Sequence, residues 1–251
     1  MRTFIFAVVG LFILSGQAFA GWYQIENYEG FIGDKPVHFS LQKYDGFGSG
    51  ITVEGVYFED AKRSPIPVYG TVKGDSVRLC EISNEHEFQK ILIIGSKTGV
   101  DTEQCPFLLK VDTLGATGAR NDGAAWQPIT LKKVAALDDT SDALMTGTVE
   151  IPFWAQTANQ MFSGVYQKSA SGICMTKLRV INKASGAVDQ EIGFPDDPCD
   201  AGMVMTPIYL NVEKFIDQST NGISIHHRDG GMGYSQTYEF DPLAKAFVKT
   251  E

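Results

Sequence analysis

The stretch NGISIHHRDGGMGY, residues 221–234, holds the densest group of side chains that could bind a metal or catalyse a reaction. His226 and His227 are adjacent, and Arg228 and Asp229 follow them. Imidazoles ligate metals and act as general bases near neutral pH. Neighbouring side chains of a β-strand point to opposite faces, however, so these two imidazoles could not ligate one ion together. We therefore predict a strand that leads into a turn, and no metal site.

The residues that follow the histidines predict a β-hairpin. Asp229 precedes two glycines, and glycine accepts the positive φ that tight turns require. The next segment, YSQTYEF, alternates again and would form the returning strand. We expect the tip of this hairpin to present His226, Arg228, Asp229 and Tyr234 to a binding partner.

Known catalytic templates find no support elsewhere in the sequence. It holds no G-x-S-x-G, H-E-x-x-H, P-loop or Rossmann motif. The acidic clusters at residues 138–142 and 196–200 do not follow the ligand spacing of a calcium-binding EF-hand loop. We predict no catalytic residue, no metal and no cofactor. The alternative is a hydrolase whose site is assembled from distant residues and uses His226 or His227.

The four cysteines are regularly spaced: Cys80 and Cys105 are 25 positions apart, as are Cys174 and Cys199. A zinc site would need close pairs such as C-x-x-C. In an exported protein an even number of cysteines indicates disulfide bonds, each worth roughly 3–4 kcal/mol at this loop length. The sequence allows three pairings, of which we predict Cys80–Cys105 and Cys174–Cys199.

Apolar and polar residues alternate along most of the chain after residue 20. In PVHFSLQKY, Val37, Phe39 and Leu41 share one face, and in TVEIPFW the shared face holds Val149 and Ile151. This period indicates strands with one buried face. Turn sequences such as YDGFGSG and VKGD separate the strands. We predict an all-β, mainly antiparallel fold of the sandwich or barrel type, with at most one or two short helices.

Four segments need separate predictions. SNEHEFQKIL (residues 83–92) and NVEKFIDQS (residues 211–219) are helix candidates, and each could equally be a strand edge with a long loop. The apolar run ILIIG (residues 91–95) predicts a central strand. PIYLNV (residues 207–212) alternates like a strand. Large aromatic side chains favour burial, so we expect all three tryptophans in the core. These are Trp22, Trp126 and Trp154.

The chain divides into two β-rich segments. A shift of 94 positions places the second cysteine pair on the first and aligns VYGTVKGDSVRLC with FSGVYQKSASGIC. One interpretation is a duplication that makes two similar β halves, and the other is coincidence between β-rich segments. We expect an N-terminal half over residues 21–134, a candidate hinge over residues 135–144 and a C-terminal half over residues 145–251.

Residues 1–20 have the three parts of a secretory signal peptide. Arg2 is followed by an apolar run from Phe4 to Leu14, and the segment ends in the small-residue motif AFA. We expect cleavage after Ala20 and a periplasmic or secreted protein. No later segment approaches the roughly 18 apolar residues of a spanning helix, so we expect no transmembrane segment after cleavage.

The chain is acidic, with 30 aspartates and glutamates against 21 lysines and arginines and a net charge of −9. A protein that binds nucleic acid needs a cationic surface to neutralise phosphates, so we predict no nucleic-acid partner. The charge would instead favour the approach of a basic protein.

Export, acidity and disulfide-braced strands together predict a binding protein rather than an enzyme. Our leading hypothesis is a periplasmic inhibitor or immunity-type protein whose loop or hairpin tip occludes a secreted, basic toxin or hydrolase. The alternatives are the hydrolase described above and a barrel that binds a small apolar ligand in an internal cavity.

Overall fold

Antiparallel β-strands make up most of the chain, which confirms the predicted all-β fold class. The computed structural model describes residues 23–44, 51–93, 100–140, 147–169, 172–194, 207–214, 221–229 and 232–250. The predicted signal peptide lies outside this part of the chain.

The N-terminal half closes into an eight-stranded barrel. Its strands are β1 (Tyr23–Ile32), β2 (Lys35–Tyr44), β3 (Val53–Glu59), β4 (Ile66–Lys73), β5 (Ser76–Glu81), β6 (Phe107–Val111), β7 (Gly115–Asn121) and β8 (Trp126–Asp138). Each strand pairs antiparallel with the next, and β1 also pairs with β8. Because the sheet closes on itself, the barrel has no unpaired edge strand.

Side chains from all eight strands fill the barrel interior. Along β2, Val37, Phe39 and Leu41 are buried inside the barrel, as the sequence predicts. The opposite face was expected to be exposed, but Ser40 and Gln42 on it are buried against residues 208–209.

Phe39, Tyr57 and Phe107 form an aromatic cluster with ring centroids 4.9 to 5.8 Å apart. A barrel of eight strands is just wide enough for its own side chains to fill it. The side chains of the described residues in this interior pack against one another. The alternative of a barrel that binds a small apolar ligand stays a prediction.

Two ion-paired glutamates lie toward opposite ends of the barrel core. On β1, Glu26 accepts hydrogen bonds from Lys43, from Lys133 at 3.0 Å and from the hydroxyl of Tyr28 at 2.6 Å. Three donors therefore satisfy a carboxylate that is only 13% exposed. Such pairing offsets the cost of removing its charge from water.

At the other end, Glu81 of β5 pairs with Arg120 of β7 at 2.7 Å and accepts the hydroxyl of Tyr57. The Arg120 guanidinium also lies 5.4 Å from the ring centroid of Phe107. Cation–π contact of this kind favours an arginine that is partly removed from water. At each end of the apolar core, an ion-paired glutamate thus accepts a hydrogen bond from a tyrosine hydroxyl.

The C-terminal half forms two four-stranded antiparallel sheets. Its strands are β9 (Val149–Gln156), β10 (Gln160–Ser169), β11 (Gly172–Asn182), β12 (Val188–Gly193), β13 (Val212–Lys214), β14 (Gly222–Asp229), β15 (Met232–Asp241) and β16 (Ala246–Lys249). The orders are β12-β11-β10-β9 and β13-β14-β15-β16. Phe162 of β10 packs edge-on against Phe247 of β16, with ring centroids 5.3 Å apart. The two sheets therefore share a core, and we call this unit the sandwich.

The sandwich packs against the outer wall of the barrel along an interface that we call the seam, formed by β2, β3, β9 and residues 207–211. The indole N–H of Trp154 donates to the carbonyl of Gly55 at 2.8 Å. The hydroxyls of Ser40 and Tyr209 lie 3.1 Å apart. Burial raises the pKa of Tyr209 far above its ordinary value, so this hydroxyl stays neutral within the seam.

The first helix candidate is confirmed, but the strand predicted at ILIIG is wrong. Helix α1 spans Glu85–Phe88, and the side chain of Asn84 caps it by accepting the N–H of Glu87 at 2.9 Å. A π-helical turn, Gln89–Ile93, continues from it. A short apolar run is compatible with a buried strand and with a buried helix, so the residue pattern could not distinguish the two structures. Residues 94 and 95 lie outside the described chain.

The predictions for residues 207–219 are also corrected. Ile208–Leu210 form a 3₁₀ turn rather than a strand, and all three side chains are buried. Val212–Lys214 form a strand, which is the alternative to a helix that the sequence left open here, while residues 215–219 lie outside the description. Neighbouring residues in this part of the seam are all buried, because other elements pack on them from several sides. Their burial therefore does not alternate as it does along a strand with one exposed face.

The tryptophans have different environments. Trp154 is buried as predicted, whereas Trp126 is 54% exposed, so that expectation was wrong. Ile129 and Leu131 of β8 point into the barrel, and alternation places Trp126 on the opposite, outer face. Trp22 lies outside the residues described.

The predicted Cys80–Cys105 disulfide is confirmed, with an S–S distance of 2.04 Å. It joins β5 to the residues that lead into β6, and thus closes the excursion that contains α1. Cys174 lies buried on β11. Its predicted partner, Cys199, falls outside the described ranges, so the second pairing stays a prediction.

The division into halves around a hinge at residues 135–144 also stays a prediction. Residues 135–138 are the end of β8 and pair with β1, while residues 141–146 lie outside the described chain. Both halves are β-rich, but a closed barrel and a pair of open sheets differ in strand order.

Candidate binding cleft

A cleft of about 870 Å³ lies along the seam, between the barrel and the sandwich. The barrel side contributes residues 65–67 and 82–85 together with Phe88 of α1. The sandwich side contributes residues 154–156 and part of β13. This volume lies within the range of about 300–1,000 Å³ that is usual for ligand sites. We call it the seam cleft.

Trp154 forms a rigid part of the cleft wall. Its indole N–H is fixed by the carbonyl of Gly55, and its ring stacks on Tyr209 with centroids 5.3 Å apart. Phe88 meets the same ring edge-on at 5.5 Å. An aromatic surface held on several sides is already in position before a ligand arrives, which lowers the entropic cost of binding.

Two carboxylates line the cleft from opposite sides. Glu85 lies in the first turn of α1, where its Oε1 accepts the side-chain N–H of Gln89 at 2.8 Å. Glu213 lies on β13, and its Oε2 is 3.4 Å from Nε2 of His226. Among the lining residues that the structure describes, these glutamates are the charged ones. The described cleft is therefore lined by apolar and neutral polar residues, with an acidic residue on either side.

The hairpin predicted at the two histidines is present, since β14 and β15 pair along their lengths. His226 and His227 point to opposite faces of the sheet, as expected. His227 is only 7% exposed, stacks on Tyr234 with centroids 5.0 Å apart and meets the ring of Phe194 edge-on. It is a packed side chain, which makes it a poor candidate for a general base that reaches a substrate.

His226 connects the predicted hairpin site to the seam cleft. Its Nδ1 lies 2.8 Å from the hydroxyl oxygen of Ser235, and its Nε2 faces Glu213. Tyr234, 45% exposed, lies on the face of His227 and not on that of His226. The side chains of Arg228 and Asp229 fall outside the description. Recognition by this hairpin tip stays a prediction.

A second crevice, of about 550 Å³, lies elsewhere between the barrel and β9–β11. His38 and Phe58 line this crevice and stack on each other. Nε2 of His38 lies 2.8 Å from Asp60, and its Nδ1 lies 3.6 Å from Glu29. Both ring nitrogens thus face carboxylates. Within the described ranges, no group of three or more histidine, cysteine or acidic side chains is arranged to hold a metal ion.

The sequence did not reveal the residues that build the cleft. Phe88, Glu85, Trp154 and Glu213 come from three separate segments, and only the fold brings them together. The one available signal was the capped start of α1, in which an asparagine precedes two glutamates. That pattern predicts a helix but says nothing about the wall that faces it.

Comparison with known proteins assigns no family to this arrangement. Among the described residues, no helix is long and apolar enough to cross a membrane. No protein-family model, curated protein or solved structure matches the chain.

Proposed function

We propose that this chain is a binding protein that takes a segment of a protein partner into the seam cleft. The observation that carries the proposal is the preformed wall around Trp154, which is hydrogen-bonded to Gly55 and packed between Tyr209 and Phe88. Interfaces draw most of their energy from a few aromatic anchors in well-packed pockets. A cleft whose aromatic wall is already ordered is suited to that role.

The more specific proposal is a periplasmic inhibitor or immunity-type protein that occludes a secreted toxin or hydrolase. The confirmed disulfide is compatible with an extracellular or periplasmic location. The net charge of −9 supports a basic partner, because opposite charges steer association. Contact with the neighbouring hairpin, through His226 and the predicted tip residues, would extend the interface beyond the cleft.

Site-specific cross-linking tests the binding proposal. A photoreactive phenylalanine analogue replaces Gln89 in the cleft of residues 21–251, and Leu114, 78% exposed on the barrel, serves as the control position. After mixing with the native envelope fraction, we expect one partner to be cross-linked from position 89 and not from position 114. The cleft-filling substitution Ser83→Trp should reduce that product.

The captured partner then decides between binding and inhibition. If the protein is an inhibitor, the partner's enzymatic or toxic activity falls when the purified chain is added in stoichiometric amount. Equal cross-linking from both positions would contradict the cleft as the binding site. Turnover of a substrate by the purified chain itself would contradict a purely non-enzymatic role.

One observation favours a second candidate, the hydrolase. Ser235, His226 and Glu213 form a hydroxyl–imidazole–carboxylate chain, with distances of 2.8 and 3.4 Å. In such a hydrolase the Ser235 oxygen would attack an ester carbonyl while its proton passes to Nδ1 of His226. The ester C–O bond would break and the alcohol would leave with that proton. Water, deprotonated by the same nitrogen, would then hydrolyse the acyl-serine, which releases the acid and restores the serine.

A fluorophosphonate probe tests this candidate directly, because it labels only activated serines. The hydrolase predicts labelling that Ser235→Ala abolishes and that Ser185→Ala, in an exposed loop, leaves intact. A protein that stays unlabelled, or is labelled equally in both variants, is not a hydrolase of this type.

A further inference from the structure

We infer that the seam cleft selects a protein segment in which an apolar side chain, such as phenylalanine, is flanked by lysine or arginine. The inference rests on the proposed binding function and specifies the chemistry of the partner. It starts from the charge of the cleft: the charged lining residues in the described chain, Glu85 and Glu213, are both acidic.

The two carboxylates are held on opposite walls. Glu85 belongs to the barrel side and is tied to Gln89 one helical turn away. Glu213 belongs to the sandwich side, is 39% exposed and is held near His226. A carboxylate that its neighbours already orient loses less conformational freedom when a cation binds. A segment that crosses the cleft therefore meets an ordered negative charge on either side.

Apolar side chains also line the cleft. Trp154, Leu210 and Val212 are buried members of the lining, and Ile93, also in the lining, is 42% exposed. An apolar side chain placed there would lose its own contact with water and would cover the exposed part of Ile93. A segment with acidic flanks would meet like charges, so the same groups that attract a basic segment reject an acidic one.

A small neutral ligand is the competing occupant. It would use the apolar surface around Trp154 but would make no use of the two carboxylates, so removing their charge would not change its affinity. Charge dependence therefore separates a basic protein segment from such a ligand.

Titration with acetylated tripeptide amides, followed by NMR, tests the inference on the chain of residues 21–251. The probes are Lys-Phe-Lys, Glu-Phe-Glu and Lys-Ala-Lys. The indole N–H of Trp154 reports binding, and that of the exposed Trp126 is the internal control. We expect Lys-Phe-Lys to shift the Trp154 signal and the other two to bind more weakly.

The paired variant Glu85→Gln with Glu213→Gln should weaken Lys-Phe-Lys binding about 2- to 30-fold, as expected for two exposed ion pairs. The control Glu239→Gln, an exposed glutamate of β15 outside the cleft, should leave it unchanged. Salt should weaken binding to the parent protein more than binding to the paired variant.

Equal binding of Lys-Phe-Lys and Glu-Phe-Glu would overturn the charge selection and leave the proposed binding function standing. If no peptide shifts the Trp154 signal but a partner is still cross-linked from position 89, the charge selection also fails and the proposed binding function also stands. If no peptide binds and no partner is cross-linked from the cleft, both the inference and the proposed function fail.

Discussion

In the barrel every strand pairs with a neighbour on both sides, whereas in the sandwich each sheet ends in two edge strands. Those edges lie close together, since β9 lies beside β13 and β12 lies beside β16. At the second junction Gln190 bridges the gap, with its amide group donating to and accepting from the backbone of Phe247 at 2.9 and 2.8 Å. The first junction, by contrast, lines the seam cleft.

The two units also differ in where their cores lie. The core inside the barrel is formed by barrel strands alone. The sandwich core continues onto the outer wall of the barrel, where Tyr23, Ile25, Val56 and Tyr69 belong to the same cluster as the sandwich side chains. We therefore expect the barrel to be the more independent unit and the sandwich to depend on it. A binding cleft at their junction has one wall on each unit.

The largest expected effects come from emptying either core. Phe107 in the barrel and Phe162 in the sandwich are both fully buried, so truncating either to alanine should lower the free energy of unfolding by about 3–5 kcal/mol. Phe107→Ala should raise hydrogen exchange throughout the chain, because the sandwich needs the barrel wall. Phe162→Ala should raise exchange mainly in the sandwich. Mass spectrometry of exchanged peptides measures both.

The exposed Trp126→Ala is the matched control for these truncations, and it should change stability by less than about 0.5 kcal/mol. If Phe162→Ala opens the barrel amides as much as the sandwich amides, the barrel is not self-contained and the comparison fails.

Removal of the Cys80–Cys105 disulfide should affect the barrel next most strongly. The bond closes a loop with a sequence separation of 25, so the paired change of both cysteines to alanine should cost about 3–4 kcal/mol of unfolding free energy. Urea titration of the oxidised parent and the variant measures this. A parent protein whose midpoint is insensitive to reductant under unfolding conditions would contradict it.

Much of the strand content could be predicted because burial on one face leaves a period of two in the sequence. Val37, Phe39 and Leu41 show this period, and so do the opposite orientations of His226 and His227. The closure of β1 onto β8 could not be predicted, because alternation specifies which face is buried and not which distant strand is the neighbour.

The site was less predictable than the fold for the same reason. Trp154, Phe88 and Glu213 have unremarkable sequence neighbourhoods, and only tertiary packing brings them together. For Trp126, the alternation with Ile129 along β8 predicts the exposed position correctly, whereas the general preference of tryptophan for burial predicts it wrongly. At this position the pattern therefore outweighed the residue type.

A smaller effect should come from the seam itself. Tyr209→Phe removes the hydroxyl that lies 3.1 Å from Ser40, and this should lower stability by about 1–3 kcal/mol because the buried serine loses its partner. The double variant with Ser40→Ala should cost less than the sum of the two single changes. Strict additivity in urea titrations would show that this contact does not couple the barrel to the sandwich.

The smallest effect should appear as a pH dependence of the barrel end at Glu26. Burial raises the pKa of this carboxyl, but hydrogen bonds from Lys43, Tyr28 and Lys133 outweigh burial, so its pKa lies below the ordinary value of 4.5. As the pH falls, the unfolded chain therefore takes up this proton before the folded protein does. The stability that Glu26 contributes is fully present above the unfolded pKa of 4.5, and it is lost progressively as the pH falls from there through the lower pKa of the folded protein.

Glu26→Gln tests this dependence, because glutamine keeps the size of the side chain and cannot titrate. The variant should be less stable than the parent at about pH 7, and the difference should shrink at about pH 3.5, because the parent begins to lose this stability below pH 4.5. Urea titrations at both pH values give the two differences, and Glu239→Gln controls for an exposed glutamate. A difference that is the same at both values would mean that the lysines and Tyr28 stabilise the neutral side chain as well as the carboxylate. The barrel end would then be held by packing and neutral hydrogen bonds, as the sandwich edge is held at Gln190.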